Sequence, residues 1–381
     1  MVTYDVCIIG GGLLGTASAY YASKAGLKVL VLEARDLASG ASGAAFGGVS
    51  VGIYSYASAR VPTPYVAISK ASLGLYHQCK DELGAPLDFK VNGSIDPFYD
   101  EEGLSFGRDR AAGLTECGIP CEVLTCEDLR ALEPALSSSV VGATYCPIDG
   151  HVTPMSMVLA LAKGARRHGA EIRTRVPVNA IVIEGGRAVG VRTATETFSA
   201  GWVVNTAGLG AADLLTPLGI TVPVGYSRGQ MFVTERIPPL LRTYIHNIKQ
   251  TSAGTIVFGA TREPGVTDTR TTVGGTKEIL AWAVKLLPAL GEVRLIRSWS
   301  GIRPVPEDGY PIIGPVSGTD NLLMAVMHRG VTLAPAVGEA IADLIIAGRS
   351  KHDIAPYRLT RFNSVRRNPN VNMGETVNAA Q

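Results

Sequence analysis

Glycines near the start of the chain form the residue pattern with the clearest chemical purpose. Gly10, Gly12 and Gly15 have the spacing G-x-G-x-x-G, and they directly follow an apolar run at residues 4–9. A helix-compatible run of small residues comes next, and a second apolar run at residues 28–32 then leads into Glu33. This order of strand, glycine turn, helix, strand and acid is the context that a dinucleotide-binding fingerprint requires.

Each of these residues has a physical role in such a turn. Gly10 permits the tight bend, Gly12 lets a pyrophosphate approach the backbone, and Gly15 lets the helix lie close to the sheet. The N–H groups and the dipole at the helix start favour an anion there. Glu33 can accept hydrogen bonds from ribose hydroxyls and would repel a 2′-phosphate. The alternative is a glycine turn in an ordinary α/β protein.

The scaffold around this turn follows from apolar periodicity, from glycines and prolines, and from helix caps. Helices are predicted over residues 64–83, 101–117, 125–132, 151–168, 277–286 and 335–347. Strands are predicted over residues 88–99, 170–175, 178–184, 188–193, 198–205, 222–235, 255–260 and 322–326. A run of small residues at 39–49 fits neither period, and we interpret it as backbone pressed against a large flat molecule.

The predicted fold class is α/β, with a Rossmann-like dinucleotide-binding domain and an inserted antiparallel-sheet substrate domain. The glycine turn and a second strand–turn–helix at residues 322–347 lie near opposite ends of the chain but suit one nucleotide-binding layer. We therefore expect a discontinuous nucleotide domain at 1–62, 148–222 and 304–364. The substrate domain then comprises 63–147 and 223–303, and residues 365–381 form a polar tail.

Bulk composition limits the classes of function. The chain has 381 residues, enough for two domains with a sizeable core. Hydrophobic residues make up 46% and charged residues 18%, against the roughly 25% charged residues usual in soluble domains. This balance favours a large interior or surface buried against partner subunits. A formal net charge of +2 gives no indication of nucleic-acid binding.

Targeting and metal-binding patterns are not found in the sequence. We see no basic region followed by an apolar region at the start, and no run of about 18 apolar residues that would predict a membrane span. The six cysteines are scattered and lack the C-x-x-C pairs of zinc sites, so we expect reduced cysteines and no metal site. A cytoplasmic protein is the default expectation.

Four motifs make the chain resemble a known family of flavoenzymes. They are the fingerprint with Glu33, the run GASGAAFGG at 40–48, NTAGLGA at 205–211, and the pair SGIRPVPEDGYPIIGP at 300–315 and HRGVTLAPAVGEAIADLI at 328–345. Together they resemble the flavin-dependent D-amino-acid oxidase and glycine oxidase family. That family includes sarcosine oxidases, hydroxyproline dehydrogenases and the β subunits of opine oxidases. The resemblance covers nearly the whole chain.

The resemblance implies FAD as cofactor. Family members with a covalent flavin carry a cysteine after the arginine–proline motif, whereas residues 305–308 here read VPED, so we expect noncovalent FAD. By family position, Glu33 holds the ribose, Val176 meets adenine, and the start of the last helix meets the pyrimidine end of the flavin. The residues so assigned to the cofactor are Gly10, Gly12, Leu14, Gly15, Glu33, Ala34, Arg35, Ala41, Ser42, Gly47, Gly48, Val49, Val176, Ala207, Gly208, Gly301, Gly330, Val331 and Thr332.

Candidate substrate residues also follow from the resemblance. Arg303, in the G-x-R-P motif, matches the arginine that grips a substrate carboxylate, for which a planar fork of donors is well suited. A salt bridge within the sheet is the alternative. His328 and Arg329 stand where polar groups can face the substrate; His328 either orients an amine or second carboxylate, or bonds to backbone. Asn247 is the candidate from the loop 244–250, where relatives place a tyrosine.

The implied reaction is oxidation of a C–N bond. A hydride passes from the α-carbon of an amino acid or secondary amine to flavin N5, and water hydrolyses the resulting imine. D-amino acids, hydroxyproline, glycine or sarcosine, and opines are the substrate types. The chain could work alone, or as the catalytic β subunit of a heteromer with iron–sulfur or NAD/FAD-linked partner subunits. A nucleotide-binding scaffold without turnover is the non-enzymatic alternative, and oxidase versus dehydrogenase stays open.

Overall fold

The computed structural model of the chain describes residues 3–51 and 63–363. The first elements are β1 (Thr3–Ile9), α1 (Leu13–Lys24), β2 (Val29–Leu32), α2 (Ala41–Ala44), β3 (Gly48–Val49), α3 (Thr63–Leu83), β4 (Lys90–Val91), β5 (Ser94–Phe98), α4 (Glu101–Glu116), β6 (Glu122–Leu124) and α5 (Cys126–Leu132). The middle of the chain forms β7 (Gly142–Cys146), β8 (Gly150–His151), α6 (Pro154–Arg167), β9 (Glu171–Arg173), β10 (Val178–Glu184), β11 (Arg187–Thr193), β12 (Thr197–Asn205) and α7 (Ala211–Leu215). The remaining elements are β13 (Val224–Arg236), β14 (Tyr244–Ile245), β15 (Ile248–Gln250), β16 (Thr255–Gly259), β17 (Glu263–Pro264), α8 (Val273–Leu286), β18 (Leu295–Pro306), β19 (Ile312–Pro315), β20 (Leu322–Val326) and α9 (Gly330–Ala347).

The first sheet contains the predicted Rossmann-like unit. Its strand order is β10-β11-β12-β1-β2-β9, with β20 also paired to β12 and β19 paired to β20. The strands β9, β2, β1, β12 and β20 are parallel to their neighbours in that set. All four residues of β2 are buried, as expected for a strand covered on both faces. The α/β class predicted from the fingerprint is confirmed.

Small residues let the covering helices approach the sheet and one another. A Cβ atom at Gly338 of α9 would lie 2.6 Å from the backbone carbon of Ala17 in α1. A Cβ atom at Gly164 of α6 would lie 2.7 Å from a methyl group of Leu83 at the end of α3. The run of small residues in α1 therefore fixes how closely the helical layer packs.

The second sheet is the inserted one. Its order is β17-β13-β16-β15-β14-β5-β7-β6, and β18 pairs with β13 from Val224↔Pro306 to Thr234↔Leu295. The pairings are antiparallel, as expected for the inserted sheet, except that β14 and β5 run parallel. Such a pairing needs no hairpin, because the two strands come from distant parts of the chain. A third, three-stranded sheet has the order β3-β8-β4.

Strands of the two large sheets alternate along the chain. The first sheet uses residues 3–32, 171–205 and 312–326, whereas the second uses 94–146 and 224–306. The exact domain limits stay a prediction. The limit at 303/304 falls inside β18, which stays paired with β13 up to Pro306. The tail at 365–381 lies outside the described residues.

Several predicted element limits were wrong. Helix α9 begins at Gly330 rather than at residue 335. The helix predicted over 151–168 is α6, and its predicted start signal at Thr153-Pro154 is confirmed, whereas His151 belongs to β8. Two strands, β4 and β5, replace the one predicted over 88–99, and β18 is a strand that the sequence patterns do not predict. In α5, Thr125 caps the helix as predicted, by accepting a hydrogen bond from the Asp128 N–H.

The misplaced start of α9 has a physical cause. Pro335 lies inside the helix, and because proline has no N–H, the carbonyl of Val331 four residues earlier loses its helical donor. The buried hydroxyl of Tyr76 in α3 donates to that carbonyl at 2.6 Å. A side chain from another helix thus satisfies the carbonyl that would otherwise be left buried without a partner.

Helix α9 is also notable for its apolar composition. Among the described residues, it is the one helix whose length and hydropathy would suffice to cross a bilayer, which corrects the expectation that no such run exists. Most of it is buried inside the protein, where it packs against α1 and α3. A helix that is apolar on nearly all sides is expected in a protein core as well as in a membrane.

We expect Tyr76→Phe to destabilise the protein by about 1–3 kcal/mol, because it leaves the buried Val331 carbonyl without a donor. In a Pro335→Ala background the restored N–H can bond to that carbonyl, so the same change should cost clearly less. Denaturant unfolding of the four proteins, with saturating FAD, gives the coupling. An equal cost of Tyr76→Phe in both backgrounds would show that the hydroxyl does not compensate for the proline.

Candidate active site

The glycine turn after β1 is shaped for close backbone approach. Gly10 has φ +105°, and a Cβ atom there would lie 2.6 Å from the carbonyl oxygen of Thr206 at the end of β12. A Cβ atom at Gly15 would lie only 1.9 Å from the Gly10 carbonyl oxygen. Gly12 caps α1 without any side-chain hydrogen bond. The Leu13 N–H at the start of α1 is taken by the Ser42 hydroxyl, and the N–H groups that follow it in the first turn are left for an anion, as the fingerprint predicts.

Glu33 braces this turn as well as ending β2. One carboxylate oxygen accepts the Gly11 N–H at 2.6 Å, and the other accepts the Arg35 N–H at 2.8 Å. A carboxylate has further lone pairs, so ribose hydroxyls can still donate to it. The N–H of Val176 donates to the Glu33 carbonyl at 2.9 Å. Because this bond uses the Val176 N–H, the backbone carbonyl of Val176 is the group left for the predicted contact with adenine.

Neighbouring segments extend the turn into a continuous lining of small residues. The hydroxyl of Ser42 accepts the Leu13 N–H at 3.0 Å, so α2 lies over the start of α1. The Cα of Ala207 is 3.1 Å from the Cβ position of Gly10, and a Cβ at Gly330 would be 3.9 Å from Leu14. The starts of α1 and α9 are thus side by side, and α9 also lacks a side-chain cap.

The segment at residues 47–51 connects this lining to the second sheet. The Thr332 hydroxyl donates to the Gly48 carbonyl and accepts the Ser50 N–H, both at 3.3 Å. Buried Asp149 accepts the Val51 N–H at 2.6 Å and the Ser50 hydroxyl at 2.8 Å. These bonds hold a short extended segment in one position at the place assigned to the flavin ring.

The lining fits FAD by this test of its chemistry. It offers glycine approach at the pyrophosphate, uncapped helix starts for anionic groups, and a carboxylate at the ribose. Many of the predicted cofactor residues are linked to one another, directly or through one intervening residue. The links are hydrogen bonds, or distances of 3.9 Å or less measured from the position that a Cβ atom would take on a glycine. The residues linked in this way are Gly10, Gly12, Leu14, Gly15, Glu33, Arg35, Ser42, Val176, Ala207, Gly48, Gly330 and Thr332. The other members, Ala34, Ala41, Gly47, Val49, Gly208, Gly301 and Val331, are next to these in sequence or, for Gly301, against Ala44.

A buried lysine, Lys249, lies next to Gly47, one of the glycines assigned to the cofactor. Lys249 is 2% exposed, donates to the Val152 carbonyl at 2.7 Å, and lies 5.1 Å from the centroid of the Phe46 ring. A Cβ atom at Gly47 would be 2.7 Å from its Nζ atom. Burial, opposed in part by Asp88, lowers the pKa of Lys249 to about 7. Sequence reasoning missed this residue, although a lysine between Ile248 and Gln250 in a buried strand was a usable signal.

Arg303 is held in place by the second sheet. Its Nη1 atom donates to the carbonyls of Arg228 and Thr261, both at 3.1 Å. A Cβ atom at Gly229 would lie 2.0 Å from Nη2, so the absence of a side chain there makes room for the guanidinium. The nearby carboxylates of Glu263 and Asp268 pair with Arg228 instead of with Arg303. Arg303 is therefore oriented by two backbone carbonyls, while these two acids pair with Arg228.

His328 and Arg329 adjoin Arg303 at the start of α9. His328 keeps some solvent-accessible surface, but desolvation and the guanidinium groups of Arg303, Arg329 and Arg262 hold its pKa well below the usual value. It is therefore neutral at neutral pH and can donate or accept a hydrogen bond. Arg329 adopts a left-handed conformation with φ 60° and lies 5.9 Å from the Tyr65 ring centroid.

Asn247 is the predicted substrate residue that the structure does not join to the others. It lies in the turn between β14 and β15, where its carbonyl accepts the Gly259 N–H at 3.2 Å. Within the described part of the chain, no hydrogen bond links it to Arg303 or His328. Its neighbour His246 bonds to the half-buried Asp96 at 2.8 Å. Burial opposes the shift, but His246 and Arg110 keep the pKa of Asp96 below its usual value.

Metal chemistry has no evident site. Among residues 3–51 and 63–363, no group of three or more His, Cys, Asp or Glu side chains is arranged to hold a metal ion. The six cysteines are free thiols, and three of them are buried. Burial raises the pKa of Cys7 to about 12 and that of Cys79 to about 11, so these thiols are unreactive.

Known proteins resemble this chain over nearly its whole length. A family model described as FAD dependent oxidoreductase (DAO) matches residues 5–344. Glycine oxidase of Bacillus licheniformis is 31% identical over 376 residues, covering 96% of this chain and 99% of the relative. An opine oxidase subunit of Rhizobium meliloti is 29% identical over 385 residues, with the same coverage. The solved structure of glycine oxidase from Geobacillus kaustophilus has a TM-score of 0.87 at 30% identity, covering 95% of this chain and 99% of that one.

The fold and the glycine turn define a dinucleotide-binding α/β oxidoreductase. The matches specify it further: the chain belongs to the DAO family of FAD-dependent oxidoreductases. It is an enzyme of amino-acid or amine oxidation with FAD as its cofactor, which confirms the expectation drawn from the four motifs. The alternative of a nucleotide-binding scaffold without turnover is set aside, because the family is one of enzymes.

The buried lysine gives a pH-dependent prediction. An unfolded lysine holds its proton up to about 10.5, whereas folded Lys249 releases it near 7. Between these values the unfolded state binds more protons, so the free energy of unfolding should rise with pH. Relative to Lys249→Met, the wild-type protein should gain on the order of a few kcal/mol across this window.

Urea unfolding at a series of pH values would measure that gain. Lys277→Met, at an exposed position of α8, is the matched control and should follow the wild-type curve. Parallel curves for the wild type and Lys249→Met would mean that Lys249 is protonated in the folded protein up to its ordinary range.

Proposed function

We propose that this flavoenzyme oxidises the C–N bond of an α-amino acid or secondary amine whose carboxylate is bound by Arg303. The observation that carries the proposal is the guanidinium of Arg303, which two backbone carbonyls orient beside a neutral His328. A planar guanidinium fixed in this way suits bidentate binding of a carboxylate. D-amino acids, hydroxyproline, glycine or sarcosine, and opine-type amines all meet this requirement.

The residues of the chain have distinct roles in this proposal. Gly10, Gly12 and the start of α1 hold the pyrophosphate of noncovalent FAD, and Glu33 holds its ribose. When bound, FAD supplies an acceptor for a hydride and its electron pair. Arg303 fixes the substrate through its carboxylate, and positioning of this kind supplies most of the rate enhancement in the absence of an acid–base pair. Neutral His328 can accept a hydrogen bond from an amine.

A panel of amines added to the anaerobic holoenzyme tests the activity. Loss of the visible flavin absorption with an amino acid or secondary amine is the expected result, and the keto acid or aldehyde released identifies the bond that is broken. Reoxidation of the bleached enzyme by oxygen would make it an oxidase, and slow reoxidation a dehydrogenase. If no carboxylate-bearing amine bleaches the flavin, the proposal fails.

Arg303→Gln should lower kcat/KM for the best substrate by an amount equivalent to about 2–5 kcal/mol, because it removes one partner of a desolvated charge pair. Arg303→Lys restores the charge without the fork and should recover only part of the loss. Arg297→Gln, at an exposed position of the same strand, is the matched control. An unchanged kcat/KM in Arg303→Gln, with normal flavin content, would exclude carboxylate binding by Arg303.

Glu33→Ala should weaken FAD binding by roughly 10- to 100-fold, since it removes the ribose acceptor and leaves two backbone N–H groups of the turn without their partner. Titration of the apoprotein with FAD, followed by quenching of flavin fluorescence, measures the dissociation constant. Glu184→Gln, at the exposed end of β10 in the same sheet, controls for the loss of a negative charge. Wild-type affinity in Glu33→Ala would contradict the assigned role.

A heteromeric enzyme is the second candidate. Two kinds of relative are named as subunits of larger enzymes, one of an opine oxidase and one of a hydrogen cyanide synthase. On this chain, Val273 at the start of α8 and Leu295 and Ile296 at the start of β18 present exposed apolar surface. We infer that such a surface would suit partner subunits that carry electrons away through iron–sulfur or NAD/FAD-linked centres. Size exclusion of the tagged chain from its own cells, with identification of co-purifying subunits, separates this from a self-sufficient enzyme.

A further inference from the structure

An arginine that the sequence patterns did not single out lies beside Arg303. Arg262 follows Thr261, whose carbonyl accepts the Arg303 Nη1 hydrogen bond at 3.1 Å. The side chain of Thr261 is buried and bonds to Glu263, whereas that of Arg262 is exposed. The peptide that orients the carboxylate-binding guanidinium therefore continues directly into a second guanidinium that solvent and ligand can reach.

Arg262 differs from Arg228, Arg270 and Arg110 in that no carboxylate of the described residues pairs with it. Arg228 is paired with Glu263 and Asp268, Arg270 with Asp268, and Arg110 with Asp96, in ion pairs at 3.3 Å or closer. Over residues 3–51 and 63–363, Arg262 forms neither a hydrogen bond nor an ion pair. The acids of this region are thus already used, and Arg262 stays uncompensated.

The positive charge of Arg262 acts on groups inside the site. Desolvation lowers the pKa of His328 most, and the charge of Arg262 adds to those of Arg303 and Arg329 in lowering it further. Arg262 also helps to lower the pKa of the half-buried Asp96. Asp96 cannot neutralise it, because its carboxylate already bonds to His246 at 2.8 Å and to Arg110 at 3.3 Å. A single substrate carboxylate on Arg303 would leave Arg262 without a counterion. The site therefore has positive charge in excess of what a monocarboxylic amine requires.

We propose that Arg262 binds a second carboxylate of the substrate, so that the preferred substrate is an amino acid carrying two carboxylates, one held by Arg303 and the other by Arg262. The inference rests on the proposed function, since it assumes that Arg303 takes the first carboxylate. The second carboxylate is carried either on the nitrogen substituent or on the side chain. Exposure of Arg262 places it at the open end of the site, where it determines specificity rather than taking part in bond breaking.

Paired substrates test the proposal in the holoenzyme. N-(carboxymethyl)glycine and its monoamide, N-(carbamoylmethyl)glycine, have the same shape but differ by one negative charge. Glutamate and glutamine, in both stereoisomers, form the corresponding side-chain pair. We expect the dianionic member of one pair to have the higher kcat/KM, by roughly 10- to 100-fold and mainly through KM, since a charge-assisted hydrogen bond is lost in the amide.

Variants assign the preference to Arg262. Arg262→Gln should abolish the preference by lowering kcat/KM for the dicarboxylate while leaving the monoamide unchanged, and Arg262→Lys should restore part of it. Arg270→Gln, an equally exposed arginine of the same segment, should keep the wild-type preference. Binding without turnover is measured by calorimetry with thiodiacetate and (methylthio)acetate, which have no C–N bond to oxidise. Thiodiacetate should bind more tightly to the wild type and lose that advantage in Arg262→Gln.

The outcomes separate this inference from the proposed function. If monocarboxylic amines reduce the flavin but neither pair shows a preference for the dianion, or if Arg262→Gln keeps the preference, the second carboxylate site is wrong and Arg303 retains its role. If no amine reduces the flavin, the proposed function itself fails. Equal binding of thiodiacetate and (methylthio)acetate to the wild type would likewise contradict the role of Arg262.

Discussion

Backbone has to approach backbone at the turn after β1, and the nucleotide-binding side of the molecule depends on that constraint. The Thr206 carbonyl occupies the space that a side chain at Gly10 would need, and the Gly10 carbonyl occupies that of Gly15. The Thr206 hydroxyl donates to the Ile9 carbonyl at 2.7 Å, which holds the ends of β12 and β1 together. Because these strand ends meet, the uncapped start of α1 faces the same space as the segment that begins at Ala207.

The substrate side is organised by how its charges are compensated. Asp96 is committed to Arg110 and His246, and Glu263 and Asp268 are committed to Arg228, so the described acids near the site serve the protein itself. Arg303 is instead oriented by neutral carbonyls, which fix its direction without reducing its charge. This is preorganisation of a positive site for an anion, and the same charges add to the desolvation that lowers the pKa of His328.

The sequence predicts best what depends on near neighbours in the chain. The strand–turn–helix around Gly10, the Thr125 cap and the class of the first sheet follow from local spacing, and each is present. The start of α9 could not be predicted, because Pro335 is tolerated only through a hydroxyl 255 residues away from the carbonyl it satisfies.

The candidate substrate residues show the same difference: some are recognisable from neighbouring residues in the sequence, and others depend on contacts with distant parts of the chain. Arg303 stands in a recognisable motif, whereas Arg262 owes its importance to a hydrogen bond from Arg303 to Thr261 across 42 positions of the chain. Lys249 likewise depends on Val152, which is 97 residues distant. The parallel pairing of β14 with β5 has no local signature either, since it joins strands from two separate segments.

The segment at residues 47–51 shows why a buried acid and a buried lysine persist in an otherwise apolar region. Three of its backbone groups each have a different hydrogen-bond partner. The Gly47 carbonyl accepts the Val152 N–H at 2.8 Å, the Gly48 carbonyl accepts the Thr332 hydroxyl, and the Val51 N–H donates to Asp149. Apolar packing alone would leave these buried groups unsatisfied, at about 1–3 kcal/mol for each. Asp149 and Lys249 instead fix the segment on two sides. Under the proposed function, a substrate held by Arg303 meets the flavin in one orientation, and a rigid segment at 47–51 would be as necessary as the guanidinium that binds the carboxylate.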